Sequence, residues 1–148
     1  MIERQIKIAG VPEELAKVRA FLQQTLEAAG LDDEEIYQWI WIVDEGCSNI
    51  IRHAYHNDPQ RFIWITVRIT NERVEVEIQD EGEPFDPTQV PEPDLQQHRR
   101  LRKKGGLGIY ILRRLVDHLS YEQKQHPQGR NRLILVKQRT YNSSTIPS

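Results

Sequence analysis

Apolar and polar residues alternate with two different periods along the chain, and these periods predict its elements. Ile2, Ile6 and Ile8 alternate with polar neighbours, which is typical of a half-buried strand. Apolar residues then recur every three or four positions, as in amphipathic helices, up to Gly30 and again up to Tyr55. The pattern predicts a strand over 2–9, helices over 12–29 and 32–55, and strands over 62–70 and 73–80 that pair as a hairpin.

The regular pattern stops after residue 80. Residues 81–104 lack periodicity and contain four prolines, which is typical of a lid or a binding loop. A helical pattern returns over 107–118, and two strands are predicted over 119–125 and 132–139. Because hairpins dominate this order, we expect an α/β (α+β) two-layer sandwich, with a mixed, mostly antiparallel sheet and its helices on one face.

The composition is that of one ordinary globular domain, which we place at 1–140 with a flexible tail over 141–148. A net charge of −2 provides no general basic field for nucleic acid. No apolar run approaches the roughly 18–20 residues of a membrane span. Cys47 is the single cysteine and cannot form an internal disulfide, which is typical of the reducing cytoplasm. We therefore expect a cytoplasmic protein without direct nucleic-acid or membrane contacts.

The small net charge conceals a local excess of positive charge. Residues 99–104 contain five cations in six positions and precede Gly105, Gly106 and Gly108, with Leu107 between the last two. One interpretation is a solvated basic loop. The other is an anion site, because glycines let backbone N–H groups converge on an anion and a helix N-terminus adds free donors.

Asp80 is a second candidate for ligand binding. It continues the inward parity of Val74 and Ile78, so its carboxylate is expected on the core side, where an unpaired charge is costly. It either caps the strand end in an Asx-type turn or accepts a hydrogen bond from an amine such as adenine N6. Gly82 would allow a close approach of the backbone to a ligand. The alternate strand positions, Glu77 among them, are expected to face water.

Glu45, Asn49 and His53 are spaced four residues apart and form a polar stripe on the second predicted helix. The amide oxygen of Asn49 is a hard ligand suited to Mg²⁺, and the Glu45 carboxylate could act as a base. An ordinary solvated helix face is the alternative, with His53 capping or packing near the helix end.

The order of these features resembles the GHKL ATPase superfamily, which includes gyrase, Hsp90, histidine kinase and MutL ATPase domains. Within it, the chain is most similar to the anti-sigma factor serine/threonine kinases of bacterial partner switching. Residues 44–55 (DEGCSNIIRHAY) resemble their N-box, 80–87 (DEGEPFDP) their first glycine box and 105–117 (GGLGIYILRRLVD) their second. The resemblance extends from the first strand to about residue 139 and implies the Bergerat ATP-binding fold.

The resemblance also implies roles for individual residues. Glu45 is the expected general base, and Asn49 is the expected Mg²⁺ ligand. Asp80 is expected to accept from adenine N6, with Gly82 letting the base approach. The other cofactor-binding residues that it implies are Phe85, Gly105, Gly106, Leu107, Gly108 and Asn131, the last at a position where the family usually has threonine.

Residues 81–104 would then be an ATP lid whose basic end closes over the nucleotide. Phosphoryl transfer requires positioning, a metal ion, cations on the γ-phosphate and a base for the attacking hydroxyl. Arg100 and Arg102 are our candidates for the γ-phosphate, because a guanidinium can bind phosphate bidentately.

We therefore predict an ATP- and Mg²⁺-dependent protein serine/threonine kinase that acts as an anti-sigma or switch factor. The resemblance implies a STAS-domain anti-anti-sigma protein as phosphoacceptor, and it allows a bound sigma factor and a homodimer. One alternative is an ATP-binding module that sequesters a partner with little phosphotransfer. A histidine-kinase catalytic domain is disfavoured, because only one short helix over 12–29 precedes the N-box helix.

Overall fold

In the part of the chain that the structure describes, period-two alternation gives five strands and the longer period gives three helices, in the predicted order. The structure, a computed structural model, describes residues 1–92, 94 and 107–139; the predicted tail over 141–148 lies outside them. The strands are β1 (Ile2–Ala9), β2 (Phe62–Ile69), β3 (Arg73–Asp80), β4 (His118–Glu122) and β5 (Asn131–Gln138). The helices are α1 (Leu15–Ala28), α2 (Asp33–Asn49) and α3 (Leu107–Leu115), with short 3-10 turns at Pro12–Glu14 and Pro87–Gln89.

The strands form one sheet in the order β1-β2-β3-β5-β4. All four pairings between the described strands are antiparallel, so the sheet is not mixed as expected. The reason is that β5 inserts between β3 and β4 and runs antiparallel to both. The predicted two-layer α/β sandwich is confirmed. Among the described helices, none combines the length and the apolar character that crossing a membrane requires.

Helix α2 changes its geometry as it approaches the candidate site. It begins after Asp32, whose side chain accepts a hydrogen bond from the N–H of Glu35 at 2.8 Å. At its far end the chain winds into a π-helical turn over Ile50–Ala54, and the N–H of Tyr55 bonds to the carbonyl five residues earlier at 2.8 Å. The single helix predicted over 32–55 is therefore α-helical only in its first part. Single π turns occur frequently at functional sites.

Two element ends fall short of the predicted limits because the chain finds other hydrogen-bond partners. Helix α3 ends at Leu115, before residue 118, since the N–H of Asp117 bonds to the carbonyl of Val136 at 2.8 Å and the chain joins the sheet. Strand β4 ends before residue 125, since the N–H of Lys124 donates to the side chain of Asn131 at 3.0 Å.

Glu77 lies on the sheet face opposite the helices, as its parity requires, yet it is only 2% exposed. The side chains of Arg68 and Arg132, from the two neighbouring strands, lie over it with N–O distances of 3.8 Å and 2.8 Å. The expectation that Glu77 faces water is therefore wrong. Burial alone would raise the pKa of Glu77, but hydrogen bonds from Arg132 and Gln79 outweigh burial and lower this pKa below its ordinary value.

Candidate functional site

A small, partly open cavity lies between the C-terminal part of α2, the end of β3 and helix α3. Its lining is mostly apolar with a few polar groups, which is typical of a small-molecule site. The lining residues are Gly46, Asn49, Ile50, Ala54, Asp80, Phe85, Pro87, Leu112, Tyr121 and Leu133. The structure therefore brings together Asn49, Asp80 and Phe85, which the sequence predicted to share one site.

Asp80 is 3% exposed, and its two carboxylate oxygens have different environments. Oδ1 accepts from the N–H of Gly82 at 2.8 Å and from Nδ2 of Asn131 at 3.0 Å. Oδ2 accepts no hydrogen bond from a described residue, and Asp80 lines the cavity. Burial raises the pKa of Asp80 above its ordinary value, although both hydrogen bonds oppose that rise. The two interpretations of Asp80 are thus compatible: Oδ1 forms the Asx-type turn, and Oδ2 can accept from a ligand.

Gly82 packs directly against the end of the π turn. A Cβ at this position would lie 2.5 Å from the carbonyl oxygen of Ala54 and 2.7 Å from Cδ1 of Tyr55. The N–H of the next residue, Glu83, donates to that same carbonyl at 3.0 Å. In the described structure, therefore, the close approach that requires glycine at position 82 is to the backbone of Ala54.

Tyr55 supports this turn and was missed by the sequence reasoning. Its hydroxyl accepts from the N–H of Glu81 at 2.8 Å and donates to the carbonyl of Phe62. Burial raises the pKa of Tyr55 to about 12, so the hydroxyl stays protonated and keeps both bonds. The available signal was its position directly after the N-box helix, where an aromatic side chain can reach the next strand.

Asn131 is fully buried, and all its amide atoms are engaged. Nδ2 donates to Asp80 Oδ1 and to the carbonyl of Gly82, both at 3.0 Å, and Oδ1 accepts from the N–H of Lys124 at 3.0 Å. The structure thus places Asn131 beside Asp80 and outside the set of residues that line the cavity.

Glu45 and Asn49 are joined on one face of α2. Nδ2 of Asn49 donates to Oε1 of Glu45 at 3.3 Å, and Nη2 of Arg52 donates to Oδ1 of Asn49 at 3.2 Å. The Glu45 carboxylate also lies against Gly108, because a Cβ built on that glycine would be 2.0 Å from Oε1. Arg52 was missed by the sequence reasoning, although its position three residues after Asn49 places it on the same helix face.

Phe85 stands at the start of the predicted lid and stacks on His53, with ring centroids 4.5 Å apart and an interplanar angle of 19°. Its N–H donates to the hydroxyl of Tyr121 at 3.1 Å, and burial raises the pKa of Tyr121 to about 12. Burial also lowers the pKa of His53, and the nearby charge of Arg52 acts in the same direction. His53 therefore packs at the helix end, which was the simpler of its two interpretations.

The remaining predicted site residues are placed only in part. Leu107 and Gly108 form the first turn of α3. Arg100, Arg102, Gly105 and Gly106, together with the basic end of the lid, lie outside the described residues.

The donor set fits a Mg²⁺ ion that the protein and the nucleotide coordinate together. The part of the chain that the structure describes contains no cluster of three or more His, Cys, Asp or Glu side chains that could hold a metal alone. Mg²⁺ in nucleotide enzymes usually keeps several waters and takes few protein oxygens besides the phosphates. Asn49 offers one amide oxygen, which has a second lone pair beyond the one that Arg52 occupies.

An antiparallel sheet covered by helices on one face, with a cavity bounded by the N-box and both glycine boxes, defines a histidine kinase-like ATPase domain. The family model of that description matches residues 8–137, and the chain belongs to this family. The predicted resemblance to the anti-sigma factor kinases is confirmed by curated relatives.

The serine-protein kinase RsbW of Bacillus subtilis (strain 168) is 29% identical over 119 residues, which are 78% of this chain and 74% of the relative. The anti-sigma F factor of Oceanobacillus iheyensis is 24% identical over 143 residues, 92% of either chain. A crystal structure of RsbU and RsbW domains from Mycobacterium tuberculosis superposes with a TM-score of 0.67 at 16% identity, covering 99% of this chain and 35% of the longer one. The names of the relatives support the predicted class, a serine/threonine-protein kinase.

Proposed function

We propose that the chain is an ATP-dependent kinase of a partner-switching pathway, which phosphorylates a serine or threonine of a STAS-domain anti-anti-sigma protein. One observation carries the proposal. The cavity is lined by both Asp80 and Asn49, and Asn49 is hydrogen-bonded to Glu45. Asp80 would bind the adenine base, Asn49 would hold the metal ion and Glu45 would take the proton. These three residues are thus connected at one cavity.

The adenine base is the expected occupant of the apolar part of the cavity. Oδ2 of Asp80 would accept a hydrogen bond from the N6 amine, while Ile50, Phe85 and Leu133 supply apolar contacts. Because Asp80 is buried, this hydrogen bond is formed in a medium of low dielectric constant, where it is stronger than in water. A guanine would present a carbonyl oxygen to the same carboxylate and be disfavoured.

The phosphates would lie between Asn49 and the start of α3. Asn49 Oδ1 would help to hold Mg²⁺, which when bound neutralises charge on the β- and γ-phosphates. The first turn of α3, at Leu107 and Gly108, offers backbone N–H groups that have no partner within the helix, and the positive end of the helix dipole. The resemblance adds Gly105 and Gly106, and Arg100 and Arg102 are our candidates for the γ-phosphate because a guanidinium can bind it bidentately.

The transfer step requires little covalent chemistry from the protein. The hydroxyl oxygen of the acceptor attacks the γ-phosphorus, the bond from that phosphorus to the ADP oxygen breaks, and ADP leaves. The hydroxyl proton passes to the carboxylate of Glu45, which is half-buried and oriented by Asn49.

The relatives named as a serine-protein kinase and as an anti-sigma factor support the choice of partner. We place this activity in the cytoplasm, where the single Cys47 stays reduced. A sigma factor is the second partner that we propose, bound by a homodimer of the chain.

The test measures nucleotide binding and transfer separately with E45Q, a variant that keeps the shape of the side chain but cannot accept the proton. Radiolabelled ATP, Mg²⁺ and the STAS-domain partner give the transfer rate, and calorimetry gives the ATP affinity. We expect unchanged ATP affinity and a transfer rate reduced by about 10²-fold or more. E72Q, in the β2–β3 turn at the opposite end of β3, is the matched control and should behave as wild type.

Transfer by E45Q at the wild-type rate would remove Glu45 from its role as base. A wild-type protein that binds ATP but leaves the partner unlabelled would overturn the kinase proposal and favour the ATP-binding module.

A further inference from the structure

The absence of a side chain at position 108 creates the space that the Glu45 carboxylate occupies. A Cβ built on Gly108 would lie 2.0 Å from Oε1, 2.3 Å from Cδ and 2.8 Å from Oε2 of Glu45. No real Cβ contact is this short, so Glu45 can keep its position only beside a glycine. On its other side, Oε1 of Glu45 accepts from Asn49. The carboxylate is thus held between the amide of Asn49 and the backbone of α3.

Helix α3 cannot easily turn away from this contact. Ile109 and Leu112, which are 4% and 1% exposed, fix its inner side against the rest of the protein. Gly108 directly precedes Ile109, so the position of these two anchors also sets the position of the Gly108 backbone. The conformation of Glu45 is therefore coupled to the packing of a different helix.

We propose that Gly108 is a positioning residue for phosphotransfer, which acts by holding the Glu45 carboxylate in place and does so separately from any phosphate contact. This inference rests on the proposed function, in which Glu45 takes the proton of the acceptor hydroxyl. It also makes the position of α3 a condition for activity. Any partner or nucleotide that shifts the start of α3 would change the transfer rate through Glu45.

G108A tests this positioning role directly. The added methyl group overlaps the end of a flexible side chain and not backbone, so Glu45 rotates away and the fold persists. Alanine is also a better helix former than glycine, so the thermal midpoint should not fall. We expect ATP affinity within about threefold of wild type and a transfer rate reduced by about 10²-fold, the cost of misplacing a reacting group by about 1 Å.

A double-mutant cycle shows whether Gly108 acts through Glu45. Alanine at position 45 removes the three Glu45 atoms that lie nearest to the added methyl group, so in the E45A background the overlap is gone. We expect G108A to reduce transfer by less than about threefold in that background, compared with about 10²-fold in wild type. G129A, in the β4–β5 turn, adds a Cβ no closer than 3.3 Å to other atoms and is the matched control.

A spectroscopic readout remains available even without transfer. The side-chain amide signal of Asn49, assigned by its loss in N49D, reports the hydrogen bond to Glu45. We expect G108A to shift this signal as strongly as E45Q does. Three results would each overturn the positioning role. They are a wild-type transfer rate in G108A, an Asn49 signal that does not shift, and a loss of ATP affinity as large as the loss of transfer. Failure of the proposed function differs, because wild type would then transfer nothing while the Asn49 signal still responds to G108A.

Discussion

The variant D80N tests how the site recognises a base, because the structure dictates the orientation of the new amide. Two donors, the N–H of Gly82 and Nδ2 of Asn131, converge on Oδ1 of Asp80 at 2.8 Å and 3.0 Å. The amide oxygen of the new side chain must take that position to accept both bonds. Its NH₂ group then replaces Oδ2 and presents donors to adenine N6, which is itself a donor.

The expected loss of affinity follows from the bond that is removed. A hydrogen bond to a charged group contributes about 1.5–3 kcal/mol, and an unpaired donor facing another donor adds to the loss. At 1.36 kcal/mol per factor of ten, ATP should bind about 10- to 150-fold more weakly. The fold should persist, because the bonds at Oδ1 are retained.

The assay compares two nucleotides by calorimetry: ATP, and the purine nucleoside triphosphate that lacks only the N6 amine. Wild type should prefer ATP by the factor given above, since the analogue leaves Oδ2 of Asp80 without a donor. D80N should bind the analogue at least as well as it binds ATP. The difference between the two preferences isolates the contact between Asp80 and N6 from any general effect of the substitution.

Equal affinity of wild type for the two nucleotides would refute the contact. Unchanged ATP affinity in D80N would refute it as well, and would indicate that the base is held by the apolar wall alone.

Two further predictions concern stability. Burial raises the pKa of Asp80 in the folded protein. At pH values between the ordinary pKa and the raised pKa, the folded state therefore keeps a proton that the unfolded state has lost. Denaturant titrations should therefore show wild type losing stability relative to D80N as pH rises through that interval; a pH-independent difference would contradict this. G82A places a Cβ 2.5 Å from the carbonyl oxygen of Ala54, which cannot rotate away, so its unfolding free energy should fall by about 1–3 kcal/mol. G129A should unfold as wild type in the same titration, and an equally stable G82A would show that the backbone relaxes.

Local rules were sufficient to predict the inward position of Asp80. Side chains alternate along a strand, so the apolar positions of β3 determine which way residue 80 points. The burial of Glu77 was not predictable by the same rule. It depends on Arg68 and Arg132, and these become neighbours of Glu77 only through pairing of β3 with β2 and β5.

The contacts that hold the site residues in place could not be predicted, for the same reason. Asn131 reaches Asp80 because the β3–β5 register pairs these two residues, which are 51 positions apart in the chain. The contact of Gly108 with Glu45 likewise requires the packing of α3 on α2. The contacts of Gly82 with Ala54 and of Gly108 with Glu45 each join segments that are distant in the sequence, so the local pattern could not predict them.

The central claim is that the chain transfers a phosphoryl group to a serine or threonine of a STAS-domain protein. Mass spectrometry of that partner, after incubation with the wild-type chain, ATP and Mg²⁺, tests it most directly. We predict one added phosphate, mapped to a serine or threonine, and almost none with E45Q in place of wild type. A partner of unchanged mass, in the presence of a wild-type chain that calorimetry shows to be saturated with ATP, would contradict the account.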